Sequence, residues 1–174
     1  MLKSATWRSG LILGSMAVAL GACTVTTVDR DHPLLRPKSD GLATKVYFIR
    51  PRTERYNGAA DDRIRVEVGR NPLMVMGKGE YTLLRLLPGK ARVKVYSDTT
   101  WGPKHEFDTR VHSREFDFKP AETQYIVMTL VDGEFRGAYY KPEMIDAKRA
   151  AGLIKGAVPV GEDTKAKPIR PPEL

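Results

Sequence analysis

The sequence predicts a mainly β protein: a small antiparallel β-sandwich of about seven or eight strands, followed by one short C-terminal helix. Between about Thr44 and Tyr140 the apolar residues recur at every second position, the spacing of a strand with one buried face. These runs are short and are bounded by Gly, Pro, Asn and Asp, which end strands in turns. No helical period separates them, which argues against a parallel sheet with crossover helices. A chain of 174 residues suits one such domain with appendages.

Val46 and Phe48 alternate with Tyr47 and Ile49 in the first strand, which Arg50 and Pro51 close. Ile64, Val66 and Val68 alternate with Arg63, Arg65 and Glu67 in the second, before a turn over Gly69 to Pro72. Leu73 to Met76 and Tyr81 to Leu86 follow, ended by Gly77 to Gly79 and by Pro88 and Gly89. Ala91, Val93 and Val95 point inward against Arg92, Lys94 and Tyr96 in the next strand. A loop holding Trp101, Gly102 and Pro103 leads to the alternation of Phe116 and Phe118, then to the nearly unbroken apolar run Gln124 to Val131, expected to be central. Asp132 and Gly133 suit a two-residue type I′ hairpin, with Phe135 to Tyr140 as the return strand. A helix is expected over residues 141–155, with Pro142 at its first position and Met144, Ala147, Ala151 and Ile154 on one stripe.

The flanks carry an address. Lys3 and Arg8 precede about ten mainly apolar residues from Leu11 to Leu20, about half the roughly 20 that a helical span needs, so residues 1–22 read as an export signal. Leu20, Gly21, Ala22 and Cys23 have the form of a bacterial lipobox: cleavage falls between Ala22 and Cys23, and the cysteine sulfur takes the lipid. Two or three acyl chains, at about 0.8 kcal/mol per buried methylene, anchor a protein durably. The plainer reading is a secretory signal with a chance cysteine beside its cleavage site. Cys23 is the only cysteine, so an internal disulfide is excluded. Thr24 stands where an aspartate would resemble an inner-membrane retention signal, which points to the periplasmic leaflet of the outer membrane. Residues 23–43, with Pro33 and Pro37, read as the lipidated cysteine and a flexible tether. Residues 156–174, with Pro159, Pro168, Pro171 and Pro172, read as an extended or disordered tail.

The strand Val46 to Pro51, the run Gly79, Glu80, Tyr81 and the unit Leu87, Pro88, Gly89, Lys90 together resemble the bacterial lipoprotein family called domain of unknown function 2846, over roughly residues 43–135. The same unit is similar to the Pro-Gly hairpins of carboxypeptidase-regulatory and transthyretin-like sandwiches. The resemblance implies a lipobox and a β-sandwich and supplies no activity. The charged insert from Arg52 to Asp62 and the Gly69, Arg70, Asn71 turn depart from the family pattern.

The formal charge is +8, lowered by two once Lys3 and Arg8 leave with the signal. On an exported, membrane-tethered chain such a charge suits anionic headgroups, cell-wall carboxylates or acidic polysaccharides rather than nucleic acid. Arg63, Arg65, Arg92 and Lys94, on the outer positions of two strands, are candidates for a basic binding surface, diluted by Glu67; solvated outer positions are the bland alternative. Trp101 and Tyr96, with Tyr139 and Tyr140, are candidates for stacking on a sugar or peptide, although such aromatics more often cap a core. His105 and His112, near Glu106 and Asp108, are the one place for a metal or hydrolytic centre, yet they lack the spacing of a zinc site. Ser97 and Ser113 have no Gly-x-Ser-x-Gly elbow. The expectation is therefore a non-catalytic, cofactor-free, lipid-anchored envelope protein that binds a partner protein or an envelope polymer. An envelope hydrolase and an accessory module that stabilises a membrane complex are the alternatives.

Overall fold

The computed structural model describes residues 25–53, 58–102, 104, 106–133 and 137–169. The predicted export signal, Ala22 and Cys23 lie outside them, as do His105 and the side chain of Trp101. The protein is a β-sandwich of two five-stranded sheets. In chain order the elements are β1 (Thr27–Val28), β2 (Thr44–Arg50), a 3-10 turn (Gly58–Asp61), β3 (Ile64–Val68), β4 (Asn71–Met76), β5 (Glu80–Leu86), β6 (Gly89–Trp101), β7 (Glu106–Phe118), β8 (Thr123–Val131), β9 (Tyr139–Ile145), α1 (Ala147–Leu153), β10 (Val158–Val160) and α2 (Glu162–Ala166). The first sheet runs β1-β4-β3-β6-β7 and the second β10-β5-β2-β8-β9.

Val46 and Phe48 of β2, Val66 and Val68 of β3, Val93 and Val95 of β6, and Ile126 and Met128 of β8 meet between the sheets, as the period of two requires. Arg50 also lies in this core, fully buried. Its guanidinium donates to the carbonyls of Met76 and Ala60, each at 2.9 Å, and stacks over the Tyr140 ring at 4.7 Å. Carbonyl acceptors and a ring face replace the water that a buried cation loses. This tethers the 3-10 turn to the core and gives the Arg-Pro end of the strand a structural reason.

The strand β2 is buried on both faces, because a second apolar cluster covers the outside of the second sheet. There Tyr47, Ile49, Tyr81, Leu83 and Val127 pack against Ala150 and Ala151 of α1 and against Ile169. Residues 156–169, expected as a disordered tail, are therefore part of the fold. The strand β10 pairs in parallel with β5, and the Thr164 hydroxyl accepts from Leu83 N–H at 2.7 Å. Pro159 sits in β10, an edge strand that needs few donors; Pro171 and Pro172 lie outside the described residues.

The N-terminal segment is a second correction. Residues 25–43 lie against the sandwich instead of forming a flexible tether. Thr27 and Val28 pair with Val75 and Met74, and Leu34 and Leu35 pack on the core. His32 is buried: its Nδ1 accepts from Leu34 N–H at 3.2 Å, which leaves Nε2–H to donate to the carbonyls of Val68 and Asn71, both at 3.2 Å.

The expected helix over 141–155 is shorter. Pro142 lies in β9 opposite Met128, on an edge strand where its missing N–H costs nothing. The helix begins at Ala147, with the Asp146 carboxylate accepting from Arg149 N–H at 2.7 Å. Met144, placed on the helix stripe by the sequence, is exposed on β9. The hairpin at Asp132 and Gly133 forms, but its last pair is Val131 with Tyr139, so the connection is longer than two residues; Phe135 lies outside the described residues. Nor does β6 end near Tyr96. It pairs with β7 along thirteen positions, from Gly89 opposite Phe118 to Trp101 opposite Glu106.

Candidate functional site

Alternation in β3 and β6 turns Arg65, Glu67, Arg92, Lys94 and Tyr96 to the outer face of the first sheet, and the register sets Arg65 beside Tyr96 and Glu67 beside Lys94. Lys94 Nζ donates to Glu67 Oε1 at 2.5 Å, Tyr96 Oη donates to Glu67 Oε2 at 2.8 Å, and the Arg65 guanidinium lies 5.3 Å from the Tyr96 ring centroid. The Lys94 hydrogen bond holds the Glu67 carboxyl below its ordinary range, burial opposing and Tyr96 assisting. The same bond raises the Lys94 ammonium. The centre of this face is thus internally paired.

Three cations without ion-pair partners among the described residues gather at one end of this sheet. The β3–β4 turn, the β5–β6 connection and the start of β6 surround an open depression of about 650 Å³, lined by Leu34, Gly69, Arg70, residues 87–92, Lys94 and Glu115. Arg70, Lys90 and Arg92 are exposed and have no ion-pair partner among the described residues, whereas Glu115 is the single acid on the rim. Leu34, the 40%-exposed Leu87 and Pro88 give it an apolar floor. Gly69 N–H donates to the Arg92 carbonyl at 2.8 Å, tying the β3–β4 turn to the start of β6. Three cations over an apolar floor can take an anionic group joined to an apolar body.

Two of the predicted basic residues, Arg92 and Lys94, line this depression, and Arg65 lies in the paired centre. Arg63 is exposed just before β3, at the opposite end of the sheet. Of the predicted aromatic group, the Trp101 side chain lies outside the described residues, and Tyr96, Tyr139 and Tyr140 go to different places. Tyr96 faces outward, Tyr140 is buried in the core, and Tyr139 stacks on His112 at 4.1 Å. His112 lies in mid-strand with its nearest charges cationic. Burial first, then Arg110 and Lys141, hold its imidazole below the ordinary value of 6.5, and Asp108 is bound to Arg110 at 3.0 Å. Among the described residues there is no group of three His, Cys, Asp or Glu able to hold a metal ion.

Sequence reasoning missed Arg70, Lys90 and Leu34. The two turns are legible as turns, but that they share one end follows only from strand order. No family model, no curated protein and no solved structure matches the chain.

Proposed function

We propose that the protein is a lipid-anchored protein of the bacterial cell envelope, held at Cys23 in the periplasmic leaflet of the outer membrane, and that its sandwich binds an anionic partner without catalysing a reaction. The observation that carries the binding role is the cluster of Arg70, Lys90 and Arg92 over Leu34, Leu87 and Pro88. Such a site suits an acidic segment of an envelope protein or an acidic envelope polymer. The lipobox-like run before Cys23 and the resemblance to a lipoprotein family support the anchor.

Binding of fluorescent polyglutamate and of polygalacturonate to the acylated protein in detergent tests this. The Arg70→Glu, Arg92→Glu double variant should lose at least about tenfold in affinity, equivalent to about 1.4 kcal/mol. Affinity that is unchanged in the variant and insensitive to salt would remove the depression from the proposal.

A further inference from the structure

The N-terminal segment leaves the fold at a fixed point. Val25 N–H donates to Glu80 Oε1 at 2.8 Å, and Thr26 N–H and Oγ1 donate to Glu80 Oε2 at 2.7 and 2.5 Å. Gly77 N–H in turn donates to Thr26 Oγ1 at 3.2 Å. A side chain at Gly77 would place its Cβ 2.6 Å from Glu80 Oε2 and 3.0 Å from Val25 Cβ, so the glycine is what admits this clamp.

Cys23 is two residues from Val25 and can lie at most about 7 Å away along an extended chain. The headgroup layer is itself about 5–7 Å deep on each side of the hydrocarbon. Acyl chains on Cys23 therefore leave no room between the bilayer and the end of the sandwich that carries Glu80.

That end is basic. Arg52, Lys78 and Lys155 border one cavity beside the clamp, with Gly79 packed on Arg52 and its carbonyl accepting from Val158 N–H at 2.8 Å. Lys78 is paired with Asp61 at 2.8 Å, whereas Arg52 and Lys155 are exposed and have no ion-pair partner among the described residues. The β6–β7 hairpin runs past the start of β3 at this same end and carries Phe107, 68% exposed. Cations with an exposed aromatic beside them are what a headgroup layer receives.

We infer that the Glu80 end of the sandwich is a membrane-apposed surface, on which Arg52 and Lys155 bind anionic phospholipid headgroups of the leaflet that holds the acyl chains. The inference rests on the acylation of Cys23 proposed above. It also gives the basic depression a direction. The depression lies at the other end of strands about 20 Å long, so it is presented away from the bilayer.

The acylated full-length protein, reconstituted into phosphatidylethanolamine and phosphatidylglycerol vesicles with nitroxide-labelled headgroups, provides the test. One fluorophore is placed by Asp62→Cys at the Glu80 end and another, in a separate preparation, by Glu122→Cys at the far end. Strong quenching at position 62 with little at position 122 is expected. The Arg52→Glu, Lys155→Glu double variant should lose most of that contrast, while Arg70→Glu with Arg92→Glu keeps it. Equal quenching at both positions, in protein whose mass shows the acyl chains, would overturn the apposed surface and leave the anchor standing. A mass showing a bare thiol would overturn the anchor and this surface with it.

Discussion

The two sheets have the same number of strands and opposite outer faces. Outside the second sheet stand Tyr47, Ile49, Tyr81, Leu83 and Val127, and the end of the chain folds back to cover them. Outside the first stand Arg65, Glu67, Lys94 and Tyr96, which pair with one another, and the exposed Arg92. Both faces come from the same period of two. What separates them is whether the second set of alternate positions is apolar, and an apolar set demands a third layer. The open face is left free to carry the proposed binding site, and the covered face supplies stability.

Removing the cover should have the largest effect. A chain ended after Asp146 loses Ala150, Ala151 and Ile169 from the outer cluster. Burial of each large apolar side chain contributes about 1.5–3 kcal/mol, so baring several of them removes much of a typical total of about 5–15 kcal/mol. Loss of a cooperative urea transition is expected, and a truncated chain with the full-length midpoint would show that the third layer is dispensable. Ile49→Ala, which leaves the cover in place, should cost about 2–5 kcal/mol in the same measurement.

Glu80 reaches from the second sheet to hold the edge of the first. Glu80→Ala leaves two backbone N–H groups and the Thr26 hydroxyl without their acceptor, and about 2–3 kcal/mol of destabilisation is expected. Hydrogen exchange should speed up first in β1 and β4. A uniform change across both sheets would contradict the role of Glu80 as a local clamp.

Acid should loosen the covered face through Asp163, at the start of α2. Burial raises its carboxyl, but the Arg85 hydrogen bond and charge, joined by Lys38, outweigh that and hold it below the ordinary value of 3.8. The unfolded chain takes the proton first, so this contribution is complete above that value and is lost as pH falls through the lower, folded one. Asp163→Asn should flatten the acid limb of the stability curve between those two values. A limb of unchanged slope would place the acid sensitivity elsewhere, with Glu67 and Glu143, whose hydrogen bonds to Lys94 and to Arg149 lower them in the same sense, as the next groups to test.

The smallest effect belongs to the open face. Arg70→Gln and Arg92→Gln touch exposed residues without ion-pair partners, so each should change stability by no more than about 0.5 kcal/mol. Both should still weaken binding of an anionic polymer. A large loss of stability would mean that these cations hold the turns together.

The alternation that defined β2, β3 and the start of β6 was legible because it is local. The misreadings concern segments whose place is set by their pairing. Pro142 and Pro159 looked like a helix start and a disordered tail, yet each lies in an edge strand, Pro142 on the return of a hairpin with β8 and Pro159 beside the distant β5. Residues 25–43 looked like a tether because their anchors, among them Glu80 to Thr26, His32 to Val68 and β1 to β4, join positions far apart in the chain. Of the basic residues, Arg92 and Lys94 could be placed outward from their strand, but their meeting with Arg70 and Lys90 depends on strand order.

The chain by itself determined that it would be β, which side chains face in from each strand, and which segment has the form of an export signal, because side-chain alternation and local composition act over a few residues. Only the tertiary structure decided that both flanks belong to the domain, that Arg70, Lys90 and Arg92 meet at one end, and that the N-terminal exit lies at the other. Those facts are pairings across tens of residues, and each depends on which edge or face the two sheets leave uncovered.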